Sequence, residues 1–169
     1  MIAFRPARAT DVPELVSIIE ERFTETRFLG AGHVDKDVAR KFLAPATFRH
    51  GQTNGGATWF EVAVDDETGR IEAFILATLV RAYCVGSKLW AQDIMLLGRP
   101  DADPRALNGL LDHYIAWGND NPRVVEITLS WSDILPEAPR MDAIYTRKGF
   151  KRCGAFYRRE TRQMALEAA

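Results

Sequence analysis

Asp142-Ala-Ile-Tyr-Thr-Arg-Lys-Gly-Phe-Lys-Arg152 is the stretch that decides how the chain is read. It is a short amphipathic segment that places Tyr145 four residues before Gly149-Phe150 and then turns basic. A tyrosine at the end of a helix is protonated at neutral pH, with a reference pKa of about 10, and can serve as a proton donor. The alternative is a tyrosine packed against Phe150 whose hydroxyl caps a strand. The rest of the chain is therefore read for a fold that would use a donor there.

The chain has 169 residues, 47% hydrophobic and 27% charged. That fits one domain over 1–169 with a sizeable core, residues 163–169 forming a disordered tail. Twenty-two Lys and Arg stand against 23 Asp and Glu, so the molecule as a whole is no general polyanion binder. Cys84 and Cys153 lie far apart, without a CxxC pattern, and His33, His50 and His113 are scattered. This spacing argues against a metal site. No run approaches the roughly 20 apolar residues that span a bilayer, and the expectation is a soluble, reducing, cytoplasmic protein.

Residues 2–7 read as a strand. Thr10-Asp11 then opens a helix along which Val12, Leu15, Val16, Ile19 and Phe23 recur at three and four residues. A second helix is expected over 35–43, stopped by Pro45. The polar, glycine-rich 48–58 reads as a loop without the ending of a phosphate-binding P-loop. Residues 59–65 and 71–80 form a hairpin, and 88–98 a further strand with Asp93 as its one interior charge. Asp103-Pro104 opens a helix lined by Leu107, Leu110, Leu111 and Tyr114 and ended by Gly118-Asn119. A buried strand over 124–131, a short helix over 139–148 and one or two final strands within 150–160 complete the order β-α-α-β-β-β-α-β-α-β(-β). The fold class is α/β (α+β), a mixed, mostly antiparallel sheet of six to seven strands flanked by about four helices, with locally parallel pairing near the end.

This order, the tyrosine four positions before Gly149-Phe150, and the helix containing Leu110-Leu-Asp-His-Tyr-Ile-Ala-Trp117 resemble the GNAT superfamily of N-acyltransferases. Sequences of this kind also resemble acetyltransferase-like proteins of tailed phages. The resemblance implies direct transfer of an acetyl group from acetyl-CoA to a primary amine. Tyr145 would protonate the leaving thiolate, and Asp93 would deprotonate the amine, acting through a bridging water. Asp93 can equally face solvent or pair with Arg81 or Lys88; Glu61 and Glu72 are lesser candidates. Backbone groups of Met95, Leu96 and Leu97, on a bulged strand splayed from its neighbour, would pair with the cofactor. Ser130, Ser132 or Asp133 would take the place of a cofactor-contacting asparagine.

The cofactor signature of that family, Arg/Gln-x-x-Gly-x-Gly/Ala, presents backbone amides of a helix N-terminus to the pyrophosphate. Here Ala102 to Leu107 falls on it and matches poorly. Asp101 and Asp103 bring carboxylates, Asp103 competes for the same amides, and Pro104 removes a donor. Arg99 and Arg105 offer charge-assisted contacts in compensation, with Ala106, Leu107 and Asn108 continuing the helix start. From Arg140 to Arg162, eight Arg or Lys stand against Asp142 and Glu160. A solvated basic edge is favoured there over a nucleic-acid surface, which would belong to an inactive GNAT-shaped binding module. A homodimer stays open, and nothing in the residues identifies the acceptor amine.

Overall fold

Alternating and helical hydrophobic patterns resolve into a mixed sheet with helices on both faces. The computed structural model describes residues 1–30, 32–52, 56–130, 134–135 and 138–154. Five strands, β1 (Ile2–Pro6), β2 (Thr58–Asp65), β3 (Ile71–Arg81), β4 (Leu89–Gly98) and β5 (Val124–Thr128), lie side by side in chain order. The first four pair antiparallel and β4 pairs parallel with β5. The connection between those last two strands is α3 (Pro104–Asp120), as a parallel crossover requires. The helices α1 (Val12–Phe23), α2 (Lys36–Thr47) and α4 (Ala138–Arg147) complete the described elements.

The sheet separates two cores. On one face Leu15 and Ile18 of α1 and Leu43 of α2 pack with Phe60, Val62, Phe74 and Leu76. On the other, Ala106, Leu110, Tyr114 and Trp117 of α3 cover Ala73, Ile75, Ala77, Leu79 and Ala91. The alanines keep that second layer thin, and glycine brings α3 closer still. A Cβ at Gly109 would stand 2.1 Å from the Phe4 ring, and one at Gly118 would stand 2.6 Å from Ile127. Gly118 is therefore a contact residue inside the helix and does not end it; α3 continues to Asp120.

Two further expectations are corrected. The sheet has five strands among the described residues rather than six or seven, and Phe150 to Gly154 form no strand. The remainder of the expected final strands, and the 163–169 tail, lie outside the described residues. The helix expected to stop before Pro45 continues through it to Thr47. Pro45 stands so near the C-terminus that only one helical hydrogen bond is lost. Asp35 caps the other end through Asp37 and Val38 N–H at 3.0 Å each, and Leu43 is fully buried.

Candidate active site

The site begins with one extra residue in β4. Leu76 lies opposite Met95 while Ala77 lies opposite Asp93, so Ile94 is a bulge. Just before it, the ladder with β5 runs from Leu89 only to Gln92, opposite Thr128. Where the next rung would form, the Asp93 carboxylate takes the place of a backbone acceptor. Ser130 N–H donates to Asp93 Oδ1 at 2.8 Å, and Ser130 Oγ lies 3.2 Å from both carboxylate oxygens. The strands part there in a fork.

Beyond the fork, strand alternation decides which groups are left over. Arg99 N–H donates to Glu72 C=O at 2.9 Å, so Leu97 and Met95 also aim their backbone groups at β3. Leu96 and Gly98 aim theirs at the edge that β5 has left. Of the three residues Met95, Leu96 and Leu97, then, only Leu96 offers its backbone on the open side; Gly98 joins it. Met95 and Leu97 contribute side chains to a groove of about 540 Å³ along this edge. Ile19 and Phe23 of α1, Leu107 and Asn108 of α3, and Met141 and Ile144 of α4 share its lining with Asp93, Ser130 and Tyr145.

Tyr145 reaches the groove because of how α4 ends. Gly149 adopts φ +88°, Phe150 N–H donates to Tyr145 C=O at 3.1 Å, and Gly149 N–H donates to Thr146 C=O at 3.0 Å. These are the two bonds of a Schellman ending, whose accompanying apolar contact is Tyr145 against Phe150, ring centroids 6.1 Å apart. The spacing from Tyr145 to Gly149-Phe150 thus has a local structural cause. What remains for chemistry is the hydroxyl, which points to Ser130 C=O at 3.5 Å. The packed tyrosine of the alternative reading is thus present, with its hydroxyl facing the end of β5.

The electrostatics follow from burial. Asp93 is 6% exposed, and loss of water pushes its carboxyl up to about 6 although the Ser130 donors oppose the shift. Neither Arg81 nor Lys88 pairs with it: Arg81 donates to Gly86 C=O, and the partner of Asp93 is Ser130. Burial first, and the Asp93 charge second, raise the Tyr145 pKa, which keeps the hydroxyl protonated. Tyr114 is raised for the same reasons and donates to Thr128 C=O at 2.9 Å, fixing the end of β5. Glu61 and Glu72 lie elsewhere: Glu61 meets His113 at 3.0 Å, and Glu72 accepts from Asp103 N–H at 3.4 Å.

The other end of the groove is the start of α3, and it is closed. Asp103 caps the helix by accepting from Arg105 N–H at 2.8 Å, Ala106 N–H donates to Asp103 C=O at 2.9 Å, and Pro104 has no N–H. Arg105 is 76% exposed on its side chain and folds back onto the Asp103 carboxylate at 2.9 Å, which holds that carboxyl down to about 2. Arg99 is paired with Glu14 at 3.0 Å and with Glu21, and donates to Ile71 C=O at 2.9 Å. Both arginines are thus placed in ion pairs with acids of this chain. Asn108 donates to Pro104 C=O at 2.9 Å, and Ala106 is fully buried. Ser132 and Asp133 lie outside the described residues.

No family model and no curated protein sequence matches the chain. Solved structures do. An acetyltransferase of Trypanosoma brucei superposes with a TM-score of 0.64 at 14% identity, over 95% of this chain and 100% of that one. The chain has the GNAT fold. Glucosamine-6-phosphate N-acetyltransferase from Arabidopsis thaliana gives 0.66 at 9% identity, over 95% and 98%. The tetramutant of a Bacillus halodurans protein gives 0.70 at 14%, over 94% and 99%. These likenesses concern the GNAT fold alone, and the fork between β4 and β5 is the part of it that the candidate site occupies. Among the described residues, no helix is long and apolar enough to cross a membrane, and no group of three His, Cys, Asp or Glu could hold a metal ion.

Proposed function

We propose that this protein transfers an acyl group, acetyl in the simplest case, from a coenzyme A-type thioester to a primary amine, with the reaction at the fork of β4 and β5. The observation that carries the reading is the open backbone edge at Leu96 and Gly98 beside a buried carboxylate whose pKa is about 6. A thioester arm laid along this edge would find amide donors and acceptors that no strand among the described residues uses. The phosphate end of such a donor fits poorly, because the amides that start α3 are already bonded within the chain.

Asp93 is the base. A carboxylate with a pKa near 6 is ionised at neutral pH yet holds a proton far better than an exposed one. It takes a proton from the incoming ammonium group, directly or across a water. The freed nitrogen attacks the carbonyl carbon, whose oxygen is stabilised by the Leu96 N–H. Asp93 passes this first proton to solvent and takes the second nitrogen proton from the tetrahedral adduct; as the carbon–sulfur bond breaks, Tyr145 Oη gives its proton to sulfur and is reprotonated from Asp93. One proton reaches solvent per turnover. Ser130 holds the carboxylate in place.

The test is release of free thiol from acetyl-CoA in the presence of a panel of primary amines. Wild-type protein should release thiol above background, Tyr145→Phe should slow release with little change in donor affinity, and Asp93→Asn should slow it further. Equal rates for wild type and both variants would remove these roles. Absence of thiol release with acetyl, propionyl and longer acyl donors would remove the function.

A further inference from the structure

The first turn of α3 and the loop before it concentrate charge in a pattern that runs against a phosphate. Arg70 bonds Asp101 at 2.6 Å and approaches Glu72 at 3.5 Å. Arg99 is paired with Glu14 and Glu21, and Arg105 with Asp103. Three arginines therefore face five carboxylates, and each arginine is already engaged. The backbone is engaged as well. Asp103 N–H points to Glu72 Oε2, Ala102 N–H donates to Arg99 C=O, and Arg105 and Ala106 N–H are turned to Asp103. A phosphate arriving there would meet a local excess of negative charge, and the N–H groups of Ala102, Asp103, Arg105 and Ala106 already bonded within the chain, whereas anion binding at a helix start needs both the free amides and their positive end.

From this closed helix start we infer that the protein selects its acyl donor by the uncharged thioester arm and takes no grip on the donor's phosphates, so that acyl-pantetheine-type thioesters serve as donors on a par with acyl-CoA. The inference rests on the acyl-transfer reading and deepens it by naming the donor class. The fork supplies what an uncharged arm can use. Leu96 and Gly98 present peptide groups unpaired among the described residues, the groove wall is formed by Met95, Leu97, Leu107 and Met141, and one amide-bearing arm could add itself as a strand along that edge. The nucleotide end would remain in solvent, outside the ring of ion pairs. Donors whose pantetheine is attached to something other than a nucleotide are accepted for the same reason.

The experiment is calorimetric titration of the full chain with CoA, dephospho-CoA and pantetheine, at low and at physiological salt, together with thiol-coupled rates from acetyl-CoA and S-acetylpantetheine. Dissociation constants within about threefold of one another, and nearly unchanged by salt, are expected, since released counterions and screened contacts would otherwise show. Rates from the two acyl donors should agree within the same factor. Binding of CoA more than tenfold tighter than pantetheine would overturn the inference while leaving acyl transfer standing. If Arg140→Ala then abolished that preference, the grip would lie on α4, where Arg140 is exposed at the groove wall. Failure of all three to bind, with no thiol release, would remove the acyl-transfer reading itself.

Discussion

The fork of β4 and β5 and the start of α3 lie on the same groove and treat their backbone in opposite ways. At the fork, a one-residue bulge and a carboxylate that captures the Ser130 amide leave the outward edge of Leu96 and Gly98 without a β5 partner among the described residues. At the start of α3, side chains and carbonyls of this chain use up the amides. Exposed polar backbone beside a buried carboxylate is costly to maintain, and a bulge that creates it is a built feature. A capped helix with paired arginines is the ordinary stable solution. The difference teaches that the second region is spent on holding the fold, while the first keeps the open edge on which the proposed acyl transfer depends.

The largest effect should come from breaking the fork's carboxylate. Asp93→Asn keeps an acceptor for Ser130 and removes the base, so the rate of thiol release should fall by about 10²- to 10³-fold. Stability should move the other way. The folded-state pKa of Asp93, about 6, lies above its ordinary value, so its charge opposes folding at higher pH, and that cost fades as pH falls from about 6 towards 4. At pH 8 the variant should be more stable than wild type by about 1–3 kcal/mol, a gain that disappears by pH 4. Thermal unfolding across pH measures this; a variant less stable than wild type at pH 8 would show that the carboxylate is a net structural asset. Tyr145→Phe comes next, with a loss of about 10²-fold in rate and little change in unfolding temperature, because the Schellman ending and the Phe150 contact do not need the hydroxyl.

The wild-type rate should also report the fork through pH. Activity should decline as pH falls through about 6, where Asp93 takes up a proton and can no longer act as a base. In Ser130→Ala the hydroxyl donor is lost while the amide remains. A carboxylate with fewer donors is harder to ionise, so the acid limb should move to higher pH by a fraction of a unit. A limb that stays in place would assign the falling activity to another group.

Much of this comparison was legible from residues, and unevenly so. Asp103-Pro104 announces a capped helix whose amides are spoken for, because cap and helix are neighbours in sequence. The Tyr145–Gly149–Phe150 spacing is likewise local. The Asp93–Ser130 bond joins residues 37 positions apart, and it depends on register between two strands connected through a helix. No pattern along the chain carries that. The single bulge at Ile94 shifts the phase of every backbone group after it, which is why Met95 and Leu97 turn away from the open edge and Leu96 and Gly98 face it. Arg99 reads as a cation available to phosphate until folding brings Glu14 and Glu21 to it from 85 and 78 residues away. Pro45 reads as a stop because propensity ignores Leu43, buried against the sheet two residues earlier.

The smallest effect should come from reopening the closed end. Asp103→Asn retains a capping side chain, so α3 should start where it does now. It removes one negative charge and releases Arg105 from its pair. A single charge near a phosphate in a water-exposed setting is strongly screened and changes affinity only by roughly threefold. CoA should therefore bind about threefold more tightly to the variant than to wild type, pantetheine should not change, and the gain should shrink as salt is raised. Titrations of both ligands at two salt concentrations measure it. An equal gain for pantetheine would mean that the substitution altered the groove itself; no gain for either would mean that the donor's phosphates pass far from α3, and the contrast between the two ends would then rest on the fork alone.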